Sequence, residues 1–273
     1  MAMNSRPPAT VRRLGLRVRA AMLAVLLGAV VAGPLIAQEA VAEAAAPDSV
    51  AREDGFRNLQ WWHPLVAGAA VGAVMLVDEP VQDYMQDHQS EFKDDLADIF
   101  AEFHQPEVVG VASIGAMSLG LVLRDAKLAE TGVQILTAYG LASGMMIATK
   151  WAFGRDRPSV TPDDAFSFNW FEGGSDSSFP SGAAAVSFSL ATTVADAVDK
   201  PVVSVLLYAG ATLNAWSRVY SNKHWLSDVA LGAVYGITAA KLVNGRWRLW
   251  GWKPPTVGIS GDGGIALGYD IRF

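Results

Sequence analysis

An all-α fold, an up-and-down bundle of about six core helices with a short C-terminal β-hairpin, is what this sequence predicts. Two observations carry the helical part. Six apolar segments, at about 61–77, 107–123, 132–150, 182–198, 202–216 and 227–243, are each 15–19 residues long, and none alternates apolar with polar residues as a half-buried strand would. They are also rich in Ala, Gly and Val, and small side chains let helix backbones approach closely. A third observation predicts the hairpin: strict alternation occurs only in the last stretch, where Ile265, Leu267, Tyr269, Ile271 and Phe273 interleave with small or polar residues.

The chain begins with a basic segment. Arg6, Arg12, Arg13, Arg17 and Arg19 fall in residues 1–19 with no acid, an uncharged run from Ala20 to Val31 follows, and Gly33-Pro34 leads to Ala37. A basic region, a short apolar run and a small residue form the pattern of a signal peptide, expected over 1–37. An uncleaved first membrane span is the alternative, for which the apolar run is short. Cleavage would leave 16 basic and 27 acidic groups. The expectation is export to the cell envelope, facing the periplasm and either embedded in the membrane or held at its surface. Residues 38–56 are Ala-rich with scattered acids and read as a tether. A helical domain is expected over 57–245 and a hairpin extension over 246–273.

The apolar segments sit at the lower limit of about 17–25 residues for a membrane span. If the signal peptide is cleaved and the first three helices all cross, the third ends in the cytoplasm. Export of a site at that end conflicts with this count, so either some helices do not span or the bundle is periplasmic and soluble or only surface-bound. Trp61, Trp62 and Trp151 suit interfacial anchors or core aromatics. Between the first two segments, Asp78 to Glu107 holds ten acids and one lysine. Val81, Tyr84, Met85, His88, Phe92, Leu96, Ile99, Phe100 and Phe103 recur there at helical spacing, which predicts one amphipathic helix starting near Pro80. Its apolar face is expected to pack on the bundle, or else the helix forms a lid or lies on the membrane, where its acidic face argues against anionic lipid. At the other end, Val257–Ile259 and Ile265–Phe273 flank Ser260-Gly261-Asp262-Gly263-Gly264 as a hairpin.

Composition excludes several classes. Hydrophobic residues are 51% and charged residues 18% of the 273, too apolar for a disordered chain. With no cysteine there are no disulfides, thiolate nucleophiles or Cys-based metal sites. A formal net charge of −6, with no basic stretch after residue 20, argues against nucleic acid. The four histidines are dispersed, so no metal or other cofactor is expected. Oligomeric state is not legible.

Three motifs fall at matching helix ends. Lys150, six residues and Arg157-Pro158 close the third apolar segment. Pro180-Ser181-Gly182 opens the fourth. Ser217-Arg218, then His224, then Asp228 join the fifth to the sixth. In an up-and-down bundle these ends share one face, so the motifs converge. Lys150, Arg157 and Arg218 supply positive charge, and guanidinium forks grip phosphate oxygens in pairs. Ser181 and Gly182 open a helix whose free N–H groups favour an anion, and Gly182 admits close backbone approach. His224 is then a nucleophile candidate, able to hold a phosphoryl group on an imidazole nitrogen. Asp228, four residues on, is expected to fix the ring through its other nitrogen.

The constellation resembles the type 2 phosphatidic acid phosphatase family, whose superfamily includes bacterial acid phosphatases and vanadium haloperoxidases. The resemblance covers roughly residues 60–245. It implies a helical bundle that hydrolyses phosphate esters without a metal, through a phosphohistidine. Lys150, Arg157, Ser181, Gly182 and Arg218 then bind phosphate, and His224 attacks with Asp228 behind it. The family's Pro-Ser-Gly-His motif stands here as Pro180-Ser181-Gly182-Ala183. Ala183 has no proton to give a leaving oxygen, so impaired catalysis is expected, least for aryl phosphates and diphosphates. General acid–base catalysis contributes typically about 10²–10⁴-fold. His104 is a candidate replacement acid. The expected substrate is a phosphate monoester or diphosphate, favouring a lipid phosphate such as phosphatidic acid or a polyprenyl diphosphate. The alternatives are a non-catalytic phosphate-binding relative and a vanadate-dependent haloperoxidase.

Overall fold

A computed structural model describes residues 57–101, 106–249, 256–259 and 265–268. The signal peptide and tether expected over 1–56 lie outside them, as does His104. Eight helices are described: α1 (His63–Met75), α2 (Asp78–Asp87), α3 (Glu91–Ala101), α4 (Pro106–Leu123), α5 (Ala126–Phe153), α6 (Gly182–Val198), α7 (Pro201–Tyr220) and α8 (Leu226–Val243). Short strands complete the set: β1 (Arg57–Leu59), β2 (Trp247–Leu249), β3 (Thr256–Ile259) and β4 (Ile265–Gly268). The fold is all-α, and the six apolar segments are α1, α4, α5, α6, α7 and α8.

Local chemistry sets the ends. Asp125 caps α5, its Oδ1 accepting the Leu128 N–H at 3.1 Å. Gly154 ends α5 in the left-handed region, φ 55°, and its N–H returns to the Lys150 carbonyl at 3.0 Å. These two signals extend α5 to 28 residues, beyond the expected 132–150. Pro106 and Pro201 open α4 and α7, where a missing N–H costs nothing. The single amphipathic helix expected over 78–107 is instead two. The Ser90 carbonyl accepts the Lys93 and Asp94 N–H groups at 2.9 Å each and starts α3 afresh.

At the far end of the chain β3 and β4 pair antiparallel, with Thr256 opposite Gly268 and Ile259 opposite Ile265. This is the expected hairpin as far as residue 268. Its turn and residues 269–273 lie outside the described residues. The parallel pairing of β1 with β2, Arg57 opposite Trp247, was not expected from sequence.

Backbone contact between helices fixes their spacing. α6 packs on α8 where Gly232 and Gly236 face the Ser181 and Ala185 carbonyls: a β-carbon on either glycine would lie 2.4 or 2.3 Å from those oxygens. α4 meets α5 in the same way, Gly120 against Ala129 and Gly132 against Ser113. Buried clusters fill the spaces, among them Val71, Phe179 and Leu231, and Ala142, Ala185 and Ala239. Helices α4, α5 and α8 are long and apolar enough to cross a membrane, and α1 with α2, bent by 49°, would make a fourth span. Val111, Ile114, Val122, Leu136, Leu141 and Ile147 point outward from α4 and α5. Such a continuous apolar exterior suits lipid rather than water.

The α6–α8 contact has a direct test. Gly236→Ala should destabilise the protein by about 1–3 kcal/mol, because backbone cannot yield as a side chain tip does. Gly115→Ala, with nothing within 4 Å of its new methyl group, should leave stability unchanged or slightly raised. Thermal unfolding in detergent, run on both variants, compares them.

Candidate active site

The C-terminal ends of α5 and α7 and the N-terminal ends of α6 and α8 lie together, joined by the loops 154–181 and 221–225. Ser181 is fully buried at the start of α6. Its Oγ accepts the Ala184 N–H at 3.4 Å, and its own N–H donates to the Asp228 carbonyl at 2.9 Å. That bond ties the first turn of α6 to the first turn of α8. Gly182 follows, with the Met146 side chain 3.4 Å from where a β-carbon would sit. Ala183 is buried on the same turn.

The cations gather around the loop before Ser181. Lys150 is buried and its Nζ donates to the Ser177 carbonyl. Arg157 is half-buried, with Nε donating to the Asp176 carbonyl at 2.9 Å and its Nη atoms to Lys223 and Ser175 at 3.2 and 3.4 Å. Arg218 is buried, and its Nε has no hydrogen-bond partner. A buried guanidinium N–H without an acceptor is costly unless an anion meets it. The neighbouring Arg218 charge, then burial and Arg157, holds the Lys223 amine below its ordinary range.

His224 lies beneath them with only 4% of its surface exposed. Its Nδ1 is 2.8 Å from the Ser178 carbonyl, which can only accept, so Nδ1 carries the proton and Nε2 keeps its lone pair. Burial drives the imidazole down to about 4, against the upward pull of Asp228 and with help from the Lys150 and Arg157 charges. The ring is therefore neutral at pH 7, as a nucleophile must be. Asp228 departs from expectation. Its Oδ2 stands 3.6 Å from His224 Nδ1, outside hydrogen-bond range, and accepts the Trp225 N–H at 2.8 Å. Its Oδ1 pairs with Arg155 Nη1 at 2.7 Å. The Ser178 carbonyl holds the ring where the carboxylate was expected to.

Arg155 and Asp78 are the residues that sequence reasoning missed. Arg155 is fully buried and spends all five N–H donors: Nε and Nη2 on the Ala165 carbonyl, Nη2 also on Asp78 at 2.7 Å, and Nη1 on Ser227 and Asp228 at 2.7 Å each. Phe168 and Trp225 rings stand 5.4 Å from its Cζ. The one signal was its place inside the Lys150–Arg157 motif. His63, by contrast, bonds to Gln60 and stacks on Trp62, and His88 bonds to the Tyr84 carbonyl. Among the described residues no cluster of His or acidic side chains could hold a metal ion.

Residues 131–250 match the PAP2 superfamily model. A lipid A 1-phosphatase of Porphyromonas gingivalis is 36% identical over 109 residues, 39% of this chain and 21% of that protein, so the chain spans about a fifth of that relative's length. Among solved structures, the first transmembrane PAP2 type phosphatidylglycerolphosphate phosphatase from Bacillus subtilis superposes with a TM-score of 0.51 at 21% identity, over 66% of this chain and 90% of that one. Aquifex aeolicus LpxE gives 0.47 at 21% identity, over 60% and 92%. At that identity the Bacillus subtilis likeness is one of fold.

Burial of a neutral His224 makes stability depend on pH with a defined sign. The folded imidazole resists protonation down to about 4, whereas the unfolded one takes a proton near 6.5. Stability is therefore full above about pH 6.5 and falls as pH drops towards 4. His224→Gln should flatten the Tm–pH slope across that interval.

Proposed function

We propose, from the match of residues 131–250 to the PAP2 superfamily, that the chain is a phosphatase acting on lipid phosphates through a phosphohistidine at His224. One observation carries the reading: a buried, neutral imidazole with its Nε2 lone pair unclaimed lies among Lys150, Arg157 and Arg218, beside the opening turn of α6. Phosphate oxygens would take the donors of the three cations and the N–H groups at Gly182 and Ala183. Nε2 attacks phosphorus as the bond to the leaving oxygen breaks, and the leaving group departs with the electron pair. Asp228 offsets the positive charge that the ring acquires. Water then attacks the phosphoryl group, releasing orthophosphate and restoring the imidazole.

Ala183 stands where the leaving oxygen would be protonated. An alkoxide must then leave unaided or take its proton from water. Aryl phosphates and diphosphates, with more stable leaving groups, lose less.

Dimensions favour a lipid substrate. Helix α5 rises about 42 Å at 1.5 Å per residue, longer than a hydrocarbon core of about 30 Å, so the turn holding Lys150 lies at headgroup depth. Trp151, Phe166, Trp170 and Phe171 are exposed around it, with Trp151 and Phe171 ring centroids 5.5 Å apart. Aromatic residues concentrate at that depth. The relative named for lipid A fits a phosphate carried there.

Charge favours an outward site. Arg57, Arg124, Lys127, Lys200, Arg246 and Arg248 lie at the opposite end of the bundle, whereas of the described Lys and Arg at the site end only Lys93 and Lys223 fall outside the proposed phosphate cradle and the Arg155 ion pairs. Basic loops stay in the cytoplasm. This orientation puts Arg57 inside, which conflicts with cleavage at residue 37 leading straight into the tether. The cysteine-free sequence makes a clean test. In intact cells a membrane-impermeant maleimide should label Glu172→Cys, and should label Lys200→Cys and Arg57→Cys only after permeabilisation. Outside labelling of Arg57→Cys would instead turn the site inward.

Activity is tested with an aryl phosphate, a lipid phosphate and a diphosphate, with His224→Ala as the blank. Ala183→His should raise hydrolysis by about 10²–10⁴-fold for the alcohol leaving group and least for the aryl ester. If neither form exceeds the blank while phosphate still binds, the chain is a phosphate-binding relative.

A further inference from the structure

Asp78 lies 77 residues before Arg155 and outside the stretch 131–250 that matches the family model, yet it is buried against the site at 1% exposure. Three donors meet its carboxylate. Arg155 Nη2 reaches Oδ2 at 2.7 Å, the Ser227 hydroxyl reaches Oδ2 at 2.5 Å, and the Ser227 N–H reaches Oδ1 at 2.8 Å. Ser227 in turn accepts from Arg155 Nη1 at 2.7 Å, and Arg155 Nη1 also holds Asp228 at 2.7 Å. Asp78 therefore fixes both groups that flank Asp228. None of its hydrogen bonds goes to Lys150, Arg157, Ser181 or Arg218.

The arrangement also sets charge. One guanidinium lies between two buried carboxylates. Without Asp78, Arg155 would be answered by Asp228 alone, and Asp228 would have less negative charge to set against the cationic ring formed when Nε2 takes a phosphoryl group. A second route runs through the main chain. The Arg155 carbonyl accepts the Ser178 N–H at 2.7 Å, and the Ser178 carbonyl is the partner of His224 Nδ1.

The geometry points to Asp78 as a positioning residue of this site, acting through Arg155 and Ser227 to hold Asp228 in place and leave it charged for His224. The inference rests on the phosphohistidine reading above. It gives the junction of α1 and α2 a part in the reaction, and it predicts an effect on turnover rather than on substrate binding.

The test is a double-mutant cycle on aryl phosphate hydrolysis by the full chain in detergent. Asp78→Asn should lower kcat by about tenfold or more with KM little changed, and in an Asp228→Asn background the same substitution should cost less than about threefold. Asp78→Glu, which keeps the charge, should recover part of the loss. Ser227→Ala repeats the test should Asp78→Asn fail to fold, and should lower kcat without raising KM. Equal losses in both backgrounds, a loss confined to KM, or an unchanged kcat per folded molecule would overturn the proposal. A rate no higher than that of His224→Ala, in this chain and in Ala183→His alike, would instead remove the phosphatase reading and this proposal with it.

Discussion

The candidate site at this end of the bundle is arranged around one buried guanidinium. Arg155 has five N–H donors and no access to water, so each must find an oxygen within the protein. The acceptors come from three separate parts of the chain: Asp78 at the start of α2, the Ala165 carbonyl in the long loop, and Ser227 with Asp228 at the start of α8. A buried charge that loses one partner costs several kcal/mol, about 3–5 in measured cases. That penalty makes the three segments settle together. The position of His224, four residues before Asp228, follows from it.

A second constraint is steric. Gly232 and Gly236 let α8 lie against the backbone of α6, and Ser181 donates to the Asp228 carbonyl at the end of that contact. The two helices supply the anion-facing turn and the histidine respectively. Their separation is set by main chain against main chain, which leaves little play between His224 and the opening turn of α6. Helix–helix contacts through small residues are ordinary in apolar surroundings. Here the same contact also sets the spacing of the candidate site residues.

Much of this was legible in the sequence. The six apolar runs became six helices because their length and small-residue content leave no other regular structure. Lys150, Arg157, Ser181, Arg218, His224 and Asp228 were expected together because helix parity puts their ends on one face, and they lie there. Other features left no readable trace. Apolar spacing continues smoothly through residues 78–103, so the restart of α3 at Ser90 does not show. Strands β1 and β2 are three residues each and far apart in sequence, too short for a period to register. Asp78 and Arg155 look like any solvated charges until the fold buries them together. The partner of His224 was misjudged for a related reason: a backbone carbonyl, Ser178, carries no sequence identity, and the carboxylate that looked available was already engaged by Arg155.

The bonds that Lys150 and Arg157 make to the carbonyls of residues 175–177 and 223 would bear on turnover in the phosphatase proposed above. A pocket of three cations would hold orthophosphate tightly, and an enzyme that cannot let its product go stalls after one cycle. Main-chain oxygens here stand ready to take back the donors of two of those cations as the ion departs. Product release then exchanges one set of hydrogen bonds for another instead of stranding buried charge. On the proposed phosphatase reading, the loop before Ser181 would act as an internal competitor for phosphate and keep the site from being poisoned by what it makes.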